Sequence, residues 1–226
     1  MSEKRLIEKT EEINRKISAL WNEVGALNGS VLNFYNPKSL RKAKDGILFI
    51  GTTNILKRDQ TLKRFVRRGN PELDDYNKER FSKMRLLAQY AKCRIKLAYI
   101  NCWLGLRTVK GRNFLSAKTV QEKLTANINF IKKIENLSLD LITTVVDELR
   151  PKCIVALNAM SYPSKKITIS DSEFEKTGFH LWNDKTPFFL CSSSSELFHN
   201  GSFARLKWHV KKAVAWSSVE RASHRG

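Results

Sequence analysis

Apolar positions along this chain fall into two patterns, a helical stripe at the start and four short continuous runs further on. Residues 3 to 27 place Leu6, Ile13, Ile17, Leu20, Trp21 and Val24 at near-helical spacing, with Gly25 and Gly29 as a stop. This predicts an amphipathic docking helix over about 3–27. The continuous runs are 47–51, 95–100 ending at Asn101, 153–157 ending at Asn158, and 187–191 ending in Ser192 to Ser195. An apolar run bounded by turn residues reads as a strand buried on both faces.

Helical periodicity fills much of the space between these runs. A short helix is expected over 61–66, followed by an interruption at Gly69-Asn70-Pro71. A helix over about 77–91 turns Phe81, Met84, Leu87 and either Leu86 or Ala88 inward, with Lys78, Arg80, Lys83 and Arg85 available outside. A long helical region over about 117–149 breaks near Asn136-Leu137-Ser138 and is closed by Pro151. Residues 161–186 are mixed and polar, and a basic, aromatic helix covers 203–216. Strands separated by helices imply βαβ units with right-handed crossovers, hence an α/β fold with a parallel sheet covered on both faces. With no repeat and no linker, residues 1–226 read as one domain.

The run Ile47-Leu48-Phe49-Ile50-Gly51 breaks at the glycine into a stretch read as a polar loop, Thr52 to Asp59. Ligands of open α/β sheets bind outside the carboxyl ends of the strands, so this loop is expected to sit over the site.

Charge then narrows the partner. The 226 residues carry a formal net charge of +19, and residues 38–112 alone hold 20 Lys/Arg against 6 Asp/Glu, a net of +14. So localised a field favours a polyanion through long-range attraction and counterion release. Solubility alone needs only a modest net charge, and no lipidation signal argues for a membrane surface. Nucleic acid is the expected partner.

Cys93, Cys102, Cys153 and Cys191 are far apart and form no C-x-x-C pair, which argues against structural zinc, a redox motif or an iron–sulfur cluster. No clustered Asp/Glu/His set for a metal is visible, and no cofactor is expected. Reduced thiols, the lack of a bilayer-length apolar stretch and an N-terminal helix pattern in place of a signal peptide point to a monomer in the cytoplasm, in a bacterial cytosol. The N-G-S tripeptides at Asn28 and Asn200 are then not glycosylated.

Three strand ends, taken in order, resemble motifs of the uracil-DNA glycosylase superfamily over about residues 45–215. Leu48-Phe49-Ile50-Gly51-Thr52-Thr53-Asn54 is similar to the strand, glycine and loop that carry the water-activating residue. Leu97-Ala98-Tyr99-Ile100-Asn101 is similar to the strand ending in the asparagine that reads the flipped pyrimidine. Phe189-Leu190-Cys191-Ser192-Ser193-Ser194-Ser195-Glu196-Leu197 resembles the Ser-rich motif that pinches the DNA backbone and carries a wedge residue, and Gly201 to His209 fits the helix after it. The resemblance implies a three-layer α/β/α domain with a central four-stranded, mostly parallel sheet, and a glycosylase acting on DNA, double-stranded with one flipped nucleotide.

This chain departs from the family pattern at informative places. Thr53, Asn54 and Ile55 stand where the common form has its carboxylate or amide, a proline and, in uracil-specific enzymes, a tyrosine that blocks a C5 methyl. Cys191-Ser192 replaces a frequent His-Pro pair. An absent C5 filter points toward a C5-modified pyrimidine, such as glucosylated hydroxymethylcytosine in phage DNA, and so toward anti-phage defence.

Excision requires flipping the base, holding its Watson–Crick edge and stabilising an oxocarbenium-like sugar while water attacks. The Asn101 amide offers a donor and an acceptor for a uracil-like or cytosine-like edge, or it caps the following segment. Asn54 is the first candidate to position water and Asp59 the second, the latter alternatively pairing with Arg58 or Lys63. Thr53 offers a hydroxyl or a cap. His199 either stabilises the leaving base or is structural. Ile55 lies where the C5 filter would be, and Phe81, or its neighbour Tyr76, stacks on the base unless Phe81 is core.

DNA contacts are expected from Ser192, Ser193, Ser194 and Ser195 to phosphate oxygens, or these form an ordinary polar turn. Leu197 and Phe198 wedge into the gap or pack against the last helix. Lys57, Arg58, Lys63 and Arg64, with Arg67 and Arg68, track phosphates or form a solvated loop. The rival readings are a uracil or mismatch repair glycosylase and an inactive DNA clamp of the same fold; a metal-dependent nuclease is disfavoured by the absent metal cluster.

Overall fold

The computed structural model describes residues 3–23, 44–56, 82–92, 97–108, 128–157, 171–183, 185–191 and 200–223. In chain order these form α1 (Glu3–Glu23), β1 (Ile47–Leu56), α2 (Ser82–Tyr90), β2 (Leu97–Thr108), α3 (Ile128–Leu149), β3 (Cys153–Leu157), α4 (Asp171–Thr177), β4 (His180–Trp182), β5 (Thr186–Cys191) and α5 (Asn200–Ser223). The protein is mixed α/β with an open, mostly parallel sheet of order β2-β1-β3-β5-β4. β1 runs parallel to β3 from Ile47 opposite Cys153 to Ile50 opposite Ala156. β3 runs parallel to β5 from Ile154 opposite Phe188 to Leu157 opposite Cys191.

β4 adds a short edge strand to the four expected. It is antiparallel to β5, with Leu181 opposite Pro187, and it arises from the polar stretch before residue 186. Three residues are too few to show a period, yet Leu181 and Trp182 are buried. What makes this a strand is its partner, against which Trp182 packs on Phe188 at 5.8 Å between ring centroids.

The chain divides into two compact units, one of Met1–Ser39, Thr52–Asp75 and Asn101–Glu148, the other of Leu40–Gly51, Tyr76–Ile100 and Leu149–Gly226. Each is assembled from separate stretches, so no single cut along the sequence divides them.

The core of the second unit follows from strand alternation. Ile47, Phe49, Cys153 and Val155 share one cluster with Met84, Leu87 and Ala88 of α2, Ala91 just beyond it, and Leu206, Val210, Ala213 and Val214 of α5. Their alternates Leu48, Ile50, Ile154, Ala156 and Phe188 are equally buried. Both faces of these strands are therefore dry, as the continuous apolar runs predict. At the amino end of the sheet, the Lys152 amide donates to the Gly46 carbonyl at 2.8 Å, and the Ser217 hydroxyl donates to the Lys152 carbonyl at 2.6 Å. That anchor lies beyond the predicted end of the last helix, which runs on to Ser223.

In the first unit, α1 buries Leu6, Thr10, Ile13, Asn14, Ile17, Ser18 and Leu20 on one stripe. Its buried hydroxyls return hydrogen bonds to the preceding turn, Thr10 to the Leu6 carbonyl at 2.6 Å and Ser18 to the Asn14 carbonyl at 2.7 Å. α3 buries Ser138, Leu141, Ile142, Val145 and Val146 at the same spacing. Lys9 pairs with Asp140 at 3.3 Å and Arg5 with Glu148 at 4.0 Å, so the two helices run antiparallel.

The break expected near 136–138 does not occur. Asn and Ser are weak helix formers rather than breakers, and Ser138 falls on the buried stripe, where its small side chain fits. α3 ends instead at Leu149, with Arg150 at φ 45° and a proline after it.

Candidate active site at the strand ends

The strand order nominates a ligand site before any side chain does. From β1 the chain moves to β2 on one side, then returns to β3 on the other. Neighbouring strands whose connections depart in opposite directions form a topological switch point, and a crevice opens outside their carboxyl ends. Ile50 and Ala156, the last register partners of β1 and β3, are both fully buried. Gly51, singled out by the change from apolar to polar residues, directly follows the buried stretch of β1 that borders this switch point.

Two local expectations are corrected there. Thr52 to Leu56 are not a loop: β1 continues through them. Thr53 and Ile55 are β-branched and suit a strand, and an edge beyond the buried sheet needs a hydrogen-bonding neighbour more than an apolar composition. Likewise Asn101 does not end its strand, because β2 runs from Leu97 to Thr108. Thr53, Asn54 and Ile55 on β1 and Asn101 on β2 accordingly lie on strands that neighbour one another in the sheet.

The other expected site residues, Asp59, Phe81, His199, Ser192 to Ser195, Leu197, Phe198, Lys57, Arg58, Lys63 and Arg64, lie outside the described residues. Cys191, where the resemblance would put a histidine, is the last residue of β5 and partly packed against the core cluster. Burial pushes its thiol up to about 11. At neutral pH it is a protonated, weakly reactive group rather than a base or nucleophile.

A second chemical feature lies on the outer side of α2 and α5. It holds Lys83, Arg85, Arg205, Lys207, Lys211 and Lys212. Cations and rings interleave: the Lys207 ammonium lies 4.3 Å from the Tyr90 centroid, Lys211 5.4 Å from the same ring, and Lys212 3.9 Å from that of Trp208. Lys83 lies over Phe203 at 5.5 Å. His209 stands between Trp208 at 4.8 Å and Phe189 at 6.4 Å.

The sequence reads α5 as basic and aromatic and puts Lys83 and Arg85 outside on α2, and the i, i+4 pairs Lys207/Lys211 and Trp208/Lys212 are visible in it. The contribution of Tyr90 from another helix has no such local signal. Among the described residues, no group of three or more His, Cys, Asp or Glu could hold a metal ion. No helix among them is long and apolar enough to cross a membrane. Neither a protein-family model nor a curated protein matches this chain.

Proposed function

We propose that the protein is a DNA glycosylase with a three-layer, uracil-DNA-glycosylase-like domain, which flips and hydrolytically excises a non-standard pyrimidine, foremost one modified at C5. The observation that carries this reading is the adjacency in the sheet of β1, which bears Asn54, and β2, which bears Asn101. The two asparagine-bearing strands thereby run side by side, next to the switch point between β1 and β3. The net charge of +19 supplies the attraction to phosphates.

In the proposed reaction the Asn101 amide holds the base edge while Asn54 orients water. Water oxygen bonds to C1′, the C1′–N1 bond breaks, and the base departs with the bonding pair and takes up a proton. The sugar is left abasic. Asp59 is the candidate to accept the water proton, since an amide orients water but is a poor base.

The inactive clamp is the second reading, favoured by the continuation of β1 through Thr53 to Ile55. Incubating the protein with DNAs bearing uracil, hydroxymethylcytosine or its glucosylated form, and identifying released bases by mass spectrometry, separates the readings. Release of a C5-modified base, lowered by a hundredfold or more in Asn101→Ala and Asp59→Ala with DNA binding retained, is the expected result. Release of uracil alone would replace the C5-modified substrate with a repair role. Binding without release of any base would leave the clamp.

A further inference from the structure

We propose that the outer surface of α2 and α5 is a binding face for single-stranded nucleic acid, built from residues that take no part in the strand-end site. The surface combines the two elements such sites use, a cationic track for the backbone and ring faces for bases. Its cations are Lys83 and Arg85 of α2 with Arg205, Lys207, Lys211 and Lys212 of α5. Its rings are Tyr90 and Trp208, 42% and 50% exposed. These are large apolar groups left in water on a face that also holds exposed Leu86.

The arrangement of charge about the rings favours a strand with unpaired bases over a duplex. In a duplex the base faces are stacked on one another, and Tyr90 and Trp208 would have nothing to stack on. In a single strand each base offers a π-face, and lysines already held over the rings lie within a side chain's swing of the adjoining phosphates. Lys207 and Lys211 share the Tyr90 ring and Lys212 covers Trp208. Bases and phosphates would therefore be met alternately along the helix.

The chemistry does not suit a lipid surface. An interfacial helix inserts its apolar side, but that side of α5, Leu206, Val210, Ala213 and Val214, is spent in the core against Met84, Leu87 and Ala88. What remains outside is cationic, with isolated rings.

The test is fluorescence anisotropy of a labelled oligothymidine of about 20 nucleotides, longer than the ~4–16 of one site. An equal-length duplex and vesicles of phosphatidylcholine with phosphatidylserine are run in parallel, using the full chain. Trp208→Ala is expected to weaken oligothymidine binding about tenfold, with Trp208→Phe recovering most of it. The triple variant Lys207→Ala/Lys211→Ala/Lys212→Ala should flatten the salt dependence by about 2 log units per log unit, three contacts at ~0.7 each. Circular dichroism verifies folding, which the half-exposed Trp208 should not disturb.

Unchanged oligothymidine binding in Trp208→Ala, or an equal loss on the duplex, overturns the proposal. So does a loss confined to vesicles, which would make the face a membrane contact. The probe contains only ordinary thymine and the readout is binding, so the result stands whether or not the protein excises a base.

Discussion

At the scale of single residues, burial decides what chemistry is available. Cys191 occupies a strand end where a reactive group would be well placed, yet desolvation disfavours its thiolate and pushes the thiol up to about 11. A free thiol is ordinarily half ionised near pH 8.5, so at pH 8 Cys191 should alkylate with iodoacetamide far more slowly than a free cysteine, by about two orders of magnitude. Peptide mapping by mass spectrometry against pH checks this. Its labelling should rise only toward pH 11, and rapid labelling at pH 8 would show the site to be open. The same shift makes the folded state lose stability as pH rises from about 9, because the unfolded chain then releases a proton that the folded one retains.

At the scale of elements, the ends and extents were set by contacts more than by composition. α4 stops because the Gly178 amide reaches back to the Phe174 carbonyl at 2.7 Å, with Gly178 at φ 76°. This is the left-handed cap that glycine adopts at no steric cost. A Cβ there would meet nothing within 4 Å, so backbone strain is the sole penalty. Gly178→Ala should cost about 1–2 kcal/mol in urea unfolding, and Gly178→Asn less, since asparagine visits this conformation more readily.

Legibility of the elements followed the same division. The continuous apolar runs at 47–50 and 153–156 and the stripe of α1 were plain in the sequence, because an element buried against its neighbours must be apolar wherever it is buried. The strand extensions at 52–56 and 101–108 were not, nor was β4. Thr52 to Asn54 and Asn101 are polar residues that read as strand ends, and the three residues of β4 are too few to show a period.

At the scale of the whole molecule, the excess of positive charge makes the proposed binding to DNA testable. If Lys57, Arg58, Lys63 and Arg64 each neutralise a phosphate, replacing all four with alanine should reduce the salt slope of duplex binding by about 3.6, at ~0.9 per contact. A filter-binding titration between low and physiological salt measures it. An unchanged slope would mean that the cations of residues 57–64 do not track the backbone. This set and the lysines of α5 are separate in sequence and in the strand type proposed for each, so their losses should add.

By itself, the sequence determined the α/β character, the four main strands and the two-faced burial of the central ones, along with the pull toward a polyanion. Those properties are local or summed: an apolar run, a helical period and a net charge do not depend on which elements meet. Only the tertiary structure decided that β1 lies between β2 and β3, which puts the switch point of the sheet between β1 and β3. Only it brought Tyr90 beneath Lys207 and Lys211, which lie more than a hundred residues along the chain. Strand order and ring-to-cation contacts are long-range facts, fixed by how buried faces find one another, and no window along the chain contains both partners.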